Sequence, residues 1–126
     1  MEYKVTLEEV LRGKLWDVVK PEIRTNIKML LFRINYMRHI YASPFVITSG
    51  LRNAEEQKKI NPKSPNSKHI LGAAIDISDP DGDIHYFFRS NEDLMISVGL
   101  WAETRQGNWQ HLQIYPPASG NRWFDP

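Results

Sequence analysis

The apolar residues of this 126-residue chain fall into two periods, first helical and then alternating. Leu7, Val10 and Leu11 open at helical spacing, with Thr6 and Glu9 placed as a capping box that satisfies the first free amides. Gly13 weakens this short helix, and Pro21 separates it from the next. From Pro21 onward, Ile23, Ile27, Leu30, Leu31, Ile34 and Met37 recur at intervals that predict a long amphipathic helix. Arg24, Lys28, Arg33 and Arg38 lie between them and read as its solvated face. His39 falls near the helix end, where an imidazole sits well against the dipole, and takes no catalytic role.

Ser43-Pro44 stops the helix, and the pattern then changes. Phe45-Val46-Ile47-Thr48 reads as a strand, and Ser49-Gly50-Leu51-Arg52 as the turn leaving it. A short helix is expected over 54–60, and the Pro, Ser, Asn and Lys residues of 61–66 mark a loop. The small apolar residues before Asp76, with Ile77 after it, predict a short buried strand entered from a loop. Asp79-Pro80-Asp81-Gly82-Asp83 lacks the spacing and terminal Glu of a calcium loop and reads as a solvated turn. Residues 85–88 and 91–98 read as one broken or two short helices stopped at Gly99, with His85 exposed. A short strand, Leu100-Trp101-Ala102, a polar hairpin loop over 103–108 and a strand over 109–114 follow. The tail, 116–126, has no periodicity, and Trp123 and Phe124 are expected to pin it to the body. Helices first, then short strands interleaved with helices, give an α+β class: a small, mainly antiparallel sheet packed on helices, in one domain over 1–126.

Composition narrows the function classes. A net charge of +1 gives no argument for nucleic acid or an anionic surface. The absence of cysteine excludes disulfides, thiolate metal sites and a cysteine nucleophile. No apolar run is long enough for a membrane span, and Met1-Glu2-Tyr3-Lys4 does not open like a signal peptide.

The candidate chemistry lies between Ser67 and Asp76. His69 precedes Asp76 by seven residues, and an ionised carboxylate on a buried strand calls for a cation or a hydrogen-bond network. Imidazole nitrogen and carboxylate oxygen are ordinary zinc ligands. A second histidine, His111, lies in the apolar run Trp109-Gln110-His111-Leu112-Gln113-Ile114. If the two strands pair, His69, Asp76 and His111 meet as three zinc ligands and leave a fourth position open for water, as catalytic zinc sites do. Taken singly, Asp76 is better read as a turn or capping residue, His69 as a loop residue and His111 as a satisfied sheet histidine. The joint pattern S-x-H-x-x-G-x-A-x-D followed by W-x-H is much harder to meet by chance. Arg52 has two readings, an oxyanion-binding guanidinium or a surface residue paired with Glu55 or Glu56. Glu103 is the candidate general base, or else an exposed loop glutamate, while Asn108 takes up no proton near neutral pH. Ser67 either orients the His69 loop and its ligands or is a plain turn residue.

The residues Ser67, His69, Gly72, Ala74 and Asp76 make this stretch resemble the zinc D-alanyl-D-alanine carboxypeptidases and the L-alanyl-D-glutamate endopeptidases of bacteriophages. Ser49-Gly50-Leu51-Arg52 is similar to the S-G-[YFL]-R element of these murein peptidases, and Trp109-Gln110-His111 to their W-x-H element. The resemblance covers about 45–114, and the tail form P-x-S-G-x-R-x-F over 117–124 is similar to phage-encoded members. It implies a hedgehog/D-Ala-D-Ala peptidase-like fold, a Zn2+ ion on His69, Asp76 and His111, and an Arg52 that binds substrate or stabilises the scissile carbonyl's charge. Asn108 departs from the family, many of whose members carry an acid three residues before the last histidine, which leaves Glu103 for that role.

The leading expectation is therefore a zinc-dependent hydrolase of peptidoglycan stem peptides, a carboxypeptidase or endopeptidase of the endolysin kind, encoded by a phage or prophage. It would be made in the cytoplasm and act on the cell wall after release or export, or ride on a virion. A rival is a zinc-containing module of the same fold that binds cell wall or a partner and hydrolyses weakly, as Asn108 would allow. A nucleic-acid surface of Arg52, Lys58, Lys59, Lys63 and Lys68 lacks interleaved aromatics and a positive net charge behind it.

Overall fold

Thr6 forms the expected capping box with Glu9 and starts α1, Leu7–Leu11, which ends with Arg12 in the left-handed region at φ 52°. The computed structural model describes residues 4–63 and 67–125, so the readings of 64–66 as loop and of Met1-Glu2-Tyr3 as no signal peptide lie outside the described residues. A single 3-10 turn, Trp16–Val18, leads to α2, Pro21–Tyr41, with proline at the first turn, where its missing N–H costs nothing. Ile27, Leu30, Ile34 and Met37 line the fully buried stripe of α2, as their spacing requires. Beyond it come β1, Ile47–Ser49; α3, Ala54–Ile60; β2, Ala74–Ser78; α4, Asp83–Ser90; α5, Glu92–Val98; β3, Trp101–Glu103; β4, Trp109–Gln113; and β5, Trp123–Phe124.

The strands form one sheet in the order β1-β2-β4-β3-β5, antiparallel except for the β3–β5 edge. This is the α+β class expected. In β2 and β4, Ile75 pairs with Leu112 and Asp76 with His111. Because successive side chains alternate, Ile75, Ile77 and Leu112 face the core, while Asp76, His111 and Gln113 face the other side. One face of the sheet thus packs on the helices and the other is left to build a site.

Two glycines seat the loops that complete that site. A methyl group on Gly50 would collide with the Val10 carbonyl oxygen, which accepts from the Leu51 N–H at 2.8 Å. Gly72 has φ +68°, and a methyl group there would lie 2.8 Å from the side chains of both Ile23 and Ile27. The glycines of the S-G-L-R and H-x-x-G elements are there because α1 and α2 come too close for any side chain.

Several local readings need correction. Arg33 is not on a solvated face: it donates to the carbonyls of Gly99 and Ile114, tying α2 to the far end of the sheet. Arg24 likewise donates to the carbonyls of Val19 and Asp17, and the Arg38 Nε is buried. Asp79 is only 2% exposed, and its carboxylate accepts from the N–H groups of Ile84 and His85, so the turn is a buried cap on α4. His85 is half-buried, bonded to Gln110 and set edge-on to Trp123. The tail carries a strand: β5 runs parallel to β3, with Trp123 beside Ala102 and Phe124 beside Glu103.

Candidate metal centre

Asp76 and His111 face each other across β2 and β4, so their meeting is a direct result of strand register. The His111 Nδ1 lies 2.9 Å from the Asp76 Oδ1. His69 arrives from the turn before β2, and its Nε2 lies 3.3 Å from the same oxygen. All three side chains are buried, at 2%, 8% and 6% exposure for His69, Asp76 and His111. Their ligand atoms lie within 4.8 Å of one another.

The donor set fits a small divalent cation. The Nδ1 of His69 is 2.8 Å from the Gly50 carbonyl, which can only accept, so the ring proton resides on Nδ1. Burial lowers the pKa of His69 and favours this neutral form. The Nε2 lone pair is then aimed at a carboxylate oxygen, an arrangement that repels unless a cation lies between them. Asp76 is ionised, with the permanently charged Arg52 guanidinium on its outer oxygen. An ionised carboxylate and two imidazoles on one point make an ordinary zinc donor set, while the harder calcium and magnesium ions prefer oxygen alone.

Arg52 is partly buried beside this group rather than paired with Glu55 or Glu56. Its Nη2 is 3.4 Å from the Asp76 Oδ2, its Nη1 donates to Gln57 at 2.8 Å and its Nε to Ser49 at 3.0 Å. Ser67 accepts the backbone N–H of His69 on its hydroxyl, so it shapes the turn and touches neither ring. Glu103 belongs to β3 and not to an exposed loop. Ala102 faces the core, so Glu103 faces the site, where its Oε2 lies 4.0 Å from the His111 Nε2. Burial, helped by the Asp76 charge, raises the pKa of Glu103 above the ordinary glutamate value despite the opposing pull of His111 and Arg52. Asn108 is exposed and precedes β4, and by alternation its side chain shares the parity of Gln110 and not that of His111.

Three buried glutamines went unread in the sequence. Gln57 holds Arg52. Gln110, on the core side of β4, accepts from His85 and donates to the backbone carbonyls of Glu103 and His111, clamping β3 to β4 beneath the site. Gln113 contacts the outer nitrogen of His111 at 2.8 Å. Strand alternation was a usable signal for Gln113, two residues from His111; nothing local marked the other two.

These groups sit at the foot of an open cleft of about 820 Å³. Asn61, Lys63, Lys68, Trp109, Phe124 and Asp125 are among the residues that line it. A family model described as Peptidase M15 matches residues 7–113. The chain belongs to the peptidase M15 family. That match begins at α1, well before the motif-bearing stretch, in keeping with the role of α1 in seating Gly50. A comparison with curated proteins gives no match. Peptidases of the M15 family are in general zinc-dependent, and the His-Asp-His group is where this chain can hold such an ion. No helix among the described residues is long and apolar enough to cross a membrane.

Proposed function

We propose that this M15 peptidase hydrolyses peptide bonds in the stem peptides of peptidoglycan, with His69, Asp76 and His111 holding one zinc ion. The observation that carries the reading is the convergence of a neutral His69 Nε2, the His111 Nδ1 and the ionised Asp76 on one buried point at the foot of the cleft, with Glu103 beside them. Zinc bound there would supply a water acidified toward neutral pH and a Lewis acid for the scissile carbonyl. Glu103, beside His111 and with a raised pKa, is the residue that would hold a proton there and pass it to a leaving amine.

Arg52 acts first by fixing the outer oxygen of Asp76, which keeps Oδ1 turned toward the histidines. Guanidinium has five N–H donors and three are engaged by Ser49, Gln57 and Asp76, so donors remain on the cleft side for a developing oxyanion. Glu103 speaks against the silent binding module, since it offers from β3 an acid that Asn108 does not. Peptidoglycan as substrate implies work at the cell wall after release or export, or on a virion, and is in keeping with a phage or prophage gene.

The test is direct. The purified protein, loaded with one equivalent of zinc, is incubated with purified murein, and new amino groups are measured while fragments are weighed by mass spectrometry. The reading requires zinc-dependent release of stem-peptide fragments, and the masses name the bond cut. A folded protein with one zinc bound and no release from murein would overturn it.

A further inference from the structure

His111 and Gln113 stand on the same face of β4, and the Gln113 side chain, 4% exposed, leans back toward the histidine. Its two amide atoms have different neighbours. One lies 2.8 Å from the Tyr115 carbonyl, the other 2.8 Å from the His111 Nε2. A carbonyl only accepts, so the NH2 group must be the end at Tyr115, and the amide oxygen must face His111. That oxygen also only accepts, so the His111 Nε2 carries a proton. In a neutral ring the lone pair is then on Nδ1, which lies 2.9 Å from the Asp76 Oδ1. Tyr115 is itself anchored: its hydroxyl donates to Asn26 of α2, whose amide donates to the Leu71 carbonyl in the turn just after His69.

We infer that Gln113 is a positioning residue that fixes the tautomer of His111 and so selects Nδ1 as the atom presented to a divalent cation. The inference rests on the metal reading above. Without the amide oxygen, a neutral His111 gains most by keeping its proton on Nδ1 and donating it to the Asp76 carboxylate, a charge-assisted bond. That proton lies where the metal must go. With the amide oxygen, Nδ1 is presented free, and an acceptor on Nε2–H also makes the ring a stronger ligand. His69 is set in the mirror sense by the Gly50 carbonyl, which holds its proton on Nδ1 and presents Nε2. The two histidines thus offer opposite ring nitrogens, each chosen by one oxygen.

Zinc affinity, measured by competition with a chromophoric chelator, tests this on wild type and Gln113→Leu. Gln113→Leu should bind zinc about 10–100-fold more weakly, the usual cost of losing such a partner. Long-range proton–nitrogen NMR of zinc-loaded wild type should show His111 protonated on Nε2 and ligated through Nδ1. Gln113→Leu matching wild type, or zinc on the His111 Nε2, would each overturn the inference. A folded wild type that takes up no zinc would overturn the metal reading, and this inference with it. Should Gln113→Leu fail to fold, the wild-type spectrum decides alone.

Discussion

The site is built in two halves by two different devices. Asp76, His111 and Glu103 stand on neighbouring strands, and their side chains meet because the register of β2, β4 and β3 puts them on one face. His69 and Arg52 come from turns, and they meet the strands because α1 and α2 press those turns into place at Gly50 and Gly72. The first half is specified by a period of two; the second depends on helices far away in the chain. Damage to the strand half should therefore cost chemistry, whereas damage to the loop half should cost stability first and metal affinity as a consequence.

Asp76 joins both halves, so its loss should have the largest effect. Asp76→Ala removes a metal ligand and leaves the Arg52 guanidinium buried without its carboxylate. Breaking a buried pair costs about 3–5 kcal/mol. Calorimetry and metal analysis should find both the lowered melting temperature and no bound zinc. Chelation of wild type reproduces only the metal part: zinc at one hundred times its dissociation constant stabilises by about 2.7 kcal/mol, which the chelator should remove. If Asp76→Ala loses no more than chelated wild type, Arg52 is not held by Asp76 in the way described.

Glu103→Gln comes next and isolates the strand half. It should leave zinc content and melting temperature near wild type and lower turnover on murein by about 10²–10⁴-fold, the usual range for a lost general base. Full activity in this variant would move the base elsewhere. Gly50→Ala isolates the loop half. The added methyl meets backbone and cannot be absorbed by a rotamer change, so about 1–3 kcal/mol of stability should go, as for other overpacked sites. Zinc affinity should fall with it, because the Gly50 carbonyl that sets the His69 tautomer moves. Loss of affinity with no loss of stability would break the proposed division. Asn108→Ala should do least: the side chain is exposed and off the site face, so stability should stay within about 0.5 kcal/mol and turnover should be unchanged.

The metal ligands were legible in the sequence from both halves of the site. His69, Asp76 and His111 were readable because a carboxylate on a buried strand demands a partner, and two histidines lay in the right kinds of segment. Helix α3 is legible at its observed limits, Ala54–Ile60, and Thr6 as the cap of α1, because both signals are local. Arg33 was misread because its partners, the carbonyls of Gly99 and Ile114, are far away in the chain, and helical spacing alone cannot distinguish a buried polar anchor from a solvated one. The β5 strand escaped because two residues give no period and a parallel edge pairing has no turn to announce it. Glu103 was placed just beyond its strand because the alternation that aims it at the site rests on only three residues.

The tail extends the sheet beyond β3 and also brings material to the cleft. Phe124 sits edge-on to His111 at 6.2 Å, and Pro117, Ala118 and Asp125 join it in the cleft wall. All four lie beyond residue 113, where the family match ends. The ligands and the acid thus belong to the shared body, while part of the cleft wall is carried on a ribbon docked on β3 by Ala102 N–H to Arg122 and Thr104 N–H to Phe124 and anchored by the side chains of Arg122 and Trp123. A different ribbon on the same edge of β3 would reshape what the cleft admits without moving a single ligand.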